Sequence, residues 1–387
     1  MVNTKGSVRT AQLITTYGVG SVVAVEDESW LVAGIDRWPV DEPDIREPRL
    51  ERDLGVQGFA RPRASSDERR EADIPVLRFP EMHYCPECKR LDSHAFFCAA
   101  NEKRCSSCLT NPVLVPSRFV VACSRGHIDD FPYPSWVHAG GQSCSNRRPR
   151  LYFRTTGATA SLRDIVISCE CGAQMTMEGA LSKNALAELG KCKGKKPWLG
   201  TEEDCDQVPS AIQRGASNSW YPVLASAISI PPWSDAIHRF LGKNWSAWSG
   251  LPDLGLESIL EGHRTIISSE YSADEVAAAI RLRWRREEGV ETTEARLRDQ
   301  EYEALSRGRP DESHRQEFVC VPAPQSAESG ISAWFDHVML VKRLREVRVL
   351  RAFTRLYPPG QSPLPEEEQQ ASLSASDTSW LPGIEVT

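Results

Sequence analysis

Cys85-Pro86-Glu87-Cys88 and, after sixteen intervening residues, Cys105-Ser106-Ser107-Cys108 are the stretches that decide this fold. Each C-x-x-C elbow puts two thiols on one tight turn. Two such elbows brought together make the four-sulfur tetrahedral cage that Zn²⁺ prefers. The competing reading is a redox dithiol or paired disulfides. A catalytic C-x-x-C normally occurs once, at a helix start beside a strand, and here there are two. The spacing therefore predicts a zinc ribbon.

Eleven of the twelve cysteines lie between positions 85 and 205. Beyond the ribbon, Cys169-Glu-Cys171 with Cys192 and Cys205 offers a second set of four. Gly172 after the C-x-C pair suits a turn closing on a metal. Between the two sets lie Cys123, His127, His138 and Cys144, which offer a third site of two sulfurs and two nitrogens. Alternatively Cys144 replaces Cys205 or Cys192 in the second site, or Cys123 and Cys144 are buried thiols and the histidines only make hydrogen bonds. Cys98 and Cys320 have no partner at ligand spacing and read as core residues. Two or three structural Zn²⁺ ions are the expectation.

Composition sets the class. The chain has 387 residues, 40% of them hydrophobic and 26% charged, as in a soluble globular protein of two or three domains. Met1–Gly6 leads into no long apolar core, so no signal peptide is expected, and no apolar run approaches the length needed to cross a bilayer. A cytoplasmic location is the expectation, and in that reducing compartment clustered cysteines favour metal over disulfide. The net charge of −7 argues against a protein that coats nucleic acid indiscriminately. From His83 to Gly215 there are 17 Lys and Arg against 13 Asp and Glu, and both flanks are acidic. Such a mildly basic region can touch phosphates over a limited area, although a solvated surface explains it equally.

Outward from the cysteines, Ser21–Val25 and Ser29–Gly34 are β-branched and apolar and read as a hairpin around a polar turn at 26–28. Gly18-Val-Gly20 lacks the third glycine of a phosphate loop and reads as a turn. No Walker-type lysine loop occurs, so no ATPase activity is expected. Residues 41–73, rich in Pro, Arg, Asp and Glu, read as an exposed connection. Ser117–Cys123 reads as a strand and Val223–Pro231 as a strand or helix. A helical pattern follows from Ser234 to about Arg307, with Ser272 or Asp274 as N-cap. Its run Arg281, Arg283, Arg285 and Arg286 around Trp284 reads as a solvated face. A last helix is predicted from Ala333 to Phe353. Residues 365–379 read as an acidic tail, and Trp380–Thr387 as the start of a strand whose sheet is absent.

Four stretches together resemble a known family. They are Ala11–Ser21 with Val32–Trp38, Cys123–Pro132, Gln213–Asn218 with Ser226–Pro232, and Leu344–Arg355. They are similar to the B component of the bacterial anti-phage system DISARM. The resemblance implies a partner of a large SNF2-type helicase that engages phage DNA with it and has no established catalytic site of its own. It also implies a C-terminal helicase-associated domain that begins about where this sequence ends, so a second polypeptide is expected to carry it, or the chain is a shortened variant.

The expectation is an α+β, zinc-ribbon-containing, multi-part protein with an N-terminal β-hairpin region and a helical C-terminal half. Its segments are 1–74 (β region and linker), 75–210 (zinc region), 211–357 (mainly helical) and 358–387 (tail and orphan strand). Arg147, Arg148, Lys193, Lys195, Lys196 and Arg214 are the candidate phosphate contacts. Two rival readings stand beside the non-catalytic subunit. One is a metal-dependent nuclease or hydrolase using His127, Asp129 and Asp130. The other is a pure assembly scaffold without DNA contact.

Overall fold

The computed structural model describes residues 5–40, 43–63, 73–99, 102–141, 144–146, 148–157, 161–230, 237, 240–241, 245, 247–263, 267, 271–287, 294–310, 317–324, 334–335 and 337–386. The chain divides into two compact units, each gathered from separate stretches: Met1–Pro39, Pro62–Leu224 and Leu350–Asp377, and Val40–Arg61, Ala225–Val349 and Thr378–Thr387.

The first unit begins with the hairpin read from the sequence. Val22–Val25 pairs antiparallel with Glu28–Val32, Val22 opposite Leu31, and Glu26 takes the left-handed conformation at the turn (φ 52°). Val76–Arg78 adds a third strand. Gly20, at φ 75°, sits where a Cβ would meet the Phe353 ring at 2.5 Å, so Gly18-Val-Gly20 is a packing turn.

A six-stranded sheet follows, in the order Gln174–Thr176, Ile165–Cys169, Leu151–Thr155, Arg90–Ser93, Met82–Tyr84, Val115–Pro116. Ile165, Ile167 and Cys169 face inward and alternate with half-buried Val166 and Ser168, the period-two pattern of a sheet with one covered face. The short helix Tyr133–Val137 lays Tyr133, Trp136 and Val137 on that face, with Phe131 beside them. Each large apolar side chain buried this way contributes about 2 kcal/mol. A three-stranded sheet puts Phe119–Ala122 between Ser210–Gln213 and Ile128–Asp130, with Ser210 opposite Ala122 and Ala122 opposite Ile128. Lys195–Lys196 and Thr201–Glu202 form a small ribbon.

The sequence reading needs correction at four places. The helix expected over 333–353 is two strands, Met339–Arg343 and Arg345–Thr354. Arg345, Val347 and Val349 are buried while Glu346 and Arg348 are half-buried, so period two governs there. Buried Arg345 ion-pairs with Glu385 at 2.6 Å. Trp380–Val386 is no orphan: it pairs antiparallel with Arg345–Thr354 (Val349 opposite Gly383) and parallel with Gly58–Ala60 (Trp380 opposite Gly58). Those three strands and Tyr221–Ser229 form one sheet. The expected linker 41–73 holds the helix Pro48–Leu54, capped by Glu47 and closed by left-handed Gly55, and its Ile45 and Phe59 are fully buried. The expected tail buries Gln369, Ala371 and Leu373.

The C-terminal half is therefore mixed. Among the described residues its longer helices are Leu256–Gly262, Ala273–Glu287 and Glu294–Arg307. Leu256, Leu260, Val276 and Ile280 make the core of the first two with Trp248. Ser272 caps the middle helix in a reciprocal box with Glu275: the Glu275 amide donates to Ser272 Oγ at 3.2 Å, and the Ser272 amide donates back to Glu275 Oε2 at 2.8 Å. Arg281 pairs with Asp253 and Glu257 and Arg283 lies over the Trp245 ring, so these two arginines are occupied within their own unit, while Arg285 is exposed.

Candidate metal centres

Among the described residues, three sets of four side chains bring their ligand atoms within 4.8 Å of one another, all in the first unit. The first is Cys85, Cys88, Cys105 and Cys108, the set that the two elbows predict. Cys85–Cys88 is the turn between Met82–Tyr84 and Arg90–Ser93. Left-handed Lys89 lets the turn close, its amide donating to the Cys85 carbonyl while the Cys88 amide donates to Cys85 Sγ. The second elbow is followed by its own turn, with Asn111 left-handed and its amide donating to the Cys108 carbonyl. Cys108 Sγ lies 3.7 Å from Cys85 Sγ and 3.8 Å from Cys105 Sγ.

The second set is Cys123, His127, Cys192 and Cys205. Cys123 and His127 bracket the turn between Phe119–Ala122 and Ile128–Asp130, and Cys192 and Cys205 flank the ribbon 195–202. His127 Nδ1 stands 3.3 Å from Cys123 Sγ and 3.7 Å from Cys192 Sγ, and Cys123 and Cys205 are 3.9 Å apart. The other ring nitrogen, Nε2, is 2.7 Å from Glu203 Oε1, and Lys196 neutralises that carboxylate. A hydrogen bond from the Cys123 thiol holds Cys192 down to about 4, helped by His127 and the Gly194 amide and opposed by burial. Cys123 is pushed up in turn, first by that partner and then by burial.

The third set is His138, Cys144, Cys169 and Cys171. His138 follows the helix Tyr133–Val137, and its Nδ1 meets the Pro134 carbonyl at 2.6 Å while Nε2 points to Cys171 Sγ at 3.3 Å. Cys171 is lowered to about 7, first by the Ala173 amide and then by His138, whereas burial raises Cys169 to about 11.

All the cysteines are free thiols, and the geometry fits a metal. A tetrahedral ion with metal–sulfur bonds of about 2.3 Å spaces its sulfurs about 3.8 Å apart, and an imidazole nitrogen at about 2.0 Å stands about 3.5 Å from them. The sulfur and nitrogen separations above cluster around those values. In both mixed sets the second histidine nitrogen is fixed by an oxygen, the usual support for a ligating imidazole.

The twelve residues singled out in the sequence thus come together, but in a different partition. Cys192 and Cys205 join Cys123 and His127, and Cys169 and Cys171 join His138 and Cys144. Strand register is the reason. Pairing of Ser210 with Ala122 returns the chain just after Cys205 to the strand that ends directly before Cys123. Pairing of Leu151 with Cys169 returns the chain near Cys144 to Cys169. The third set is nested within the second, whereas reading neighbours along the chain grouped 169–205 together and 123–144 together. Cys320 is buried and Cys98, half-buried, contacts His94.

The other candidates scatter. Asp129 and Asp130 lie on the strand Ile128–Asp130. Asp129 pairs with Lys195 at 2.9 Å, and Asp130 accepts from the amides of Glu81 and Met82. Of the candidate phosphate contacts, Arg148 and Lys193 are exposed. Lys195 and Lys196 are engaged by Asp129 and Glu203, Arg214 is largely enclosed, with Nη1 buried, and Arg147 lies outside the described residues. Glu203 was missed in the sequence; its place two residues before Cys205 was the available signal.

Residues 9–221 match a family described as a domain of unknown function, DUF8724; the match spans all three sets. The chain is also similar to a protein of Bacillus paralicheniformis (strain ATCC 9945a / NCIMB 11709 / CD-2) named DISARM protein DrmB. The two are 28% identical over 353 residues, 81% of this chain and 57% of that protein. The chain thus spans little more than half the length of this relative. Among the described residues no helix is long and apolar enough to cross a membrane.

Proposed function

This chain belongs to the DUF8724 family, and from that premise we propose that it is a non-catalytic, zinc-stapled subunit of a DISARM-like anti-phage defence assembly. In that assembly it partners an SNF2-type helicase and helps it engage phage DNA. The observation that carries the reading is the likeness to DISARM protein DrmB over 81% of the chain. The metal sets fit a structural role. Sulfur-rich tetrahedral sites suit Zn²⁺, and four protein ligands leave no open position for substrate or activated water. Asp129 and Asp130 each hold a partner within the fold, which counts against the hydrolase reading.

The test is reconstitution of the full chain with an SNF2-type helicase of a DISARM-like system. Binding to labelled duplex is followed by anisotropy between 50 and 200 mM salt. The expected result is a stable complex that binds DNA more tightly, and with a steeper salt slope, than the helicase alone. Failure to form the complex overturns the reading. A complex that forms while DNA affinity and salt slope stay those of the helicase favours the scaffold reading instead. One observation supports that second reading: the pairing of Lys195 and Lys196 with carboxylates leaves Arg148 and Lys193 as the exposed candidate phosphate contacts among the described residues.

A further inference from the structure

Arg355 directly follows the strand Arg345–Thr354 and is 0% exposed. Its guanidinium donates to three backbone carbonyls: Nε to Gly126 at 2.8 Å, Nη2 to Gly20 at 2.6 Å, and Nη1 to Ser219. The rings of Phe353 and Trp198 lie against it, 4.8 and 5.5 Å from Cζ. Among the described residues no carboxylate pairs with it. A guanidinium stays protonated even here, and a buried charge without an opposite charge is among the most unfavourable groups a core can hold.

The nearby negative charge is in the second ligand set. Gly126, which accepts from Nε, sits inside the loop Cys123-Ser-Arg-Gly-His127. That carbonyl is fixed in place, because Gly126 has φ 80° and a Cβ there would meet the Ala371 Cβ at 2.7 Å. Cys123 is the ionisable side chain whose field acts on Arg355. Three thiolates, one neutral imidazole and a divalent ion carry a net charge of −1. Cys123 and His127 are buried, so water screens that charge poorly. On the far side of His127, Glu203 and Lys196 neutralise each other and contribute no compensation.

We propose that Arg355 is the countercharge of the metal-loaded Cys123–His127–Cys192–Cys205 site. Loading that site and seating the Gly20 turn and the Ser219 turn on Arg355 are then one coupled event. The proposal rests on the zinc reading above. It makes Arg355 a positioning residue that touches no metal, and it predicts that metal affinity follows charge and not hydrogen bonding alone.

The experiment uses the full zinc-loaded chain, a competing chromogenic chelator and mass-spectrometric mapping of cysteine alkylation. In Arg355→Met, affinity at one site falls about 10–100-fold, with Cys123, Cys192 and Cys205 alkylated early and Cys169 and Cys171 unchanged. Arg355→Lys keeps the charge and loses the three-way fork, so its loss stays below about tenfold. In Cys192→His the site becomes neutral, and adding Arg355→Met then changes affinity by no more than about twofold. Wild-type affinity in Arg355→Met, or an equal loss with and without Cys192→His, overturns the proposal. If Arg355→Met does not fold, Arg355→Lys decides: a loss beyond tenfold assigns Arg355 to hydrogen bonding and overturns the countercharge. Wild-type protein whose Cys123, Cys192 and Cys205 are alkylated equally with and without zinc refutes the metal reading itself.

Discussion

The second and third ligand sets hold the same donors, three sulfurs and one imidazole, and are placed in the fold in opposite ways. In the second, Cys123 and His127 are buried; in the third, Cys169 is buried and Cys171 is exposed. The second closes the chain from Cys123 to Cys205 across a strand pair of the core. The third closes a shorter stretch, from His138 to Cys171, nested inside it. His127 leans on a carboxylate and His138 on a main-chain carbonyl. The same donor set is therefore placed in two different settings, and the difference lies in what each set closes and how far water reaches it.

The sharpest way to break this comparison is to remove one sulfur from each set. Structural zinc in small domains binds with an apparent 10–16 kcal/mol, as much as a whole domain's stability of about 5–15 kcal/mol. Cys123→Ser should lose one zinc and the cooperative unfolding of the first unit, leaving little soluble protein at 37 °C. Cys171→Ser should also lose one zinc, measured by elemental analysis, but keep a cooperative transition lowered by several degrees. Its faster amide exchange should be confined to residues 133–177. Equal damage from the two variants would mean that burial and closure do not distinguish the sites.

Smaller is the effect of the supporting oxygen. Glu203→Gln keeps an acceptor near His127 Nε2 and removes its charge, leaving Lys196 unpaired. Zinc affinity at the second site should fall about tenfold while the third site is unchanged. A chelator titration that shows no change would leave Glu203 a surface residue and remove one of the contrasts drawn above.

How much of this was legible in the sequence depends on the range of the signal. Local signals served well. The C-x-x-C elbows, the hairpin around Glu26 and Asp27, and Ser272 as an N-cap are each decided within a few residues. Grouping the remaining ligands required knowing that Ser210 sits opposite Ala122 and Leu151 opposite Cys169, and strand register over such separations has no local trace. Arg345–Thr354 was misread because its arginines and apolar residues fit a helix stripe as well as a strand, and only pairing with Trp380–Val386 decides. Burial of Arg355 goes against what its residue type announces, so only the structure could reveal it.

The smallest expected effect tests whether the second site's hairpin is tuned from its other end. Asp130 lies three residues past His127, and burial pushes its carboxyl up to about 6 from an ordinary 3.8, with Asp129 and Glu81 adding to the rise against the amides of Met82 and Glu81. A carboxyl raised on folding favours the folded state only while it is protonated. That contribution is lost as pH rises through about 6, and between pH 5 and 7 the loss is about 1 kcal/mol. Asp130→Asn cannot ionise. It forfeits one acceptor for two amides, a cost that does not vary with pH, so the informative quantity is the change with pH and not the absolute difference. Denaturant unfolding with zinc saturating should show the variant gaining about 1 kcal/mol on the wild type from pH 5 to 7. Ligand protonation affects both proteins alike and cancels. A difference that stays constant over that range would mean the carboxyl is ionised throughout, held by its two amides. The hairpin would then depend on its metal end alone.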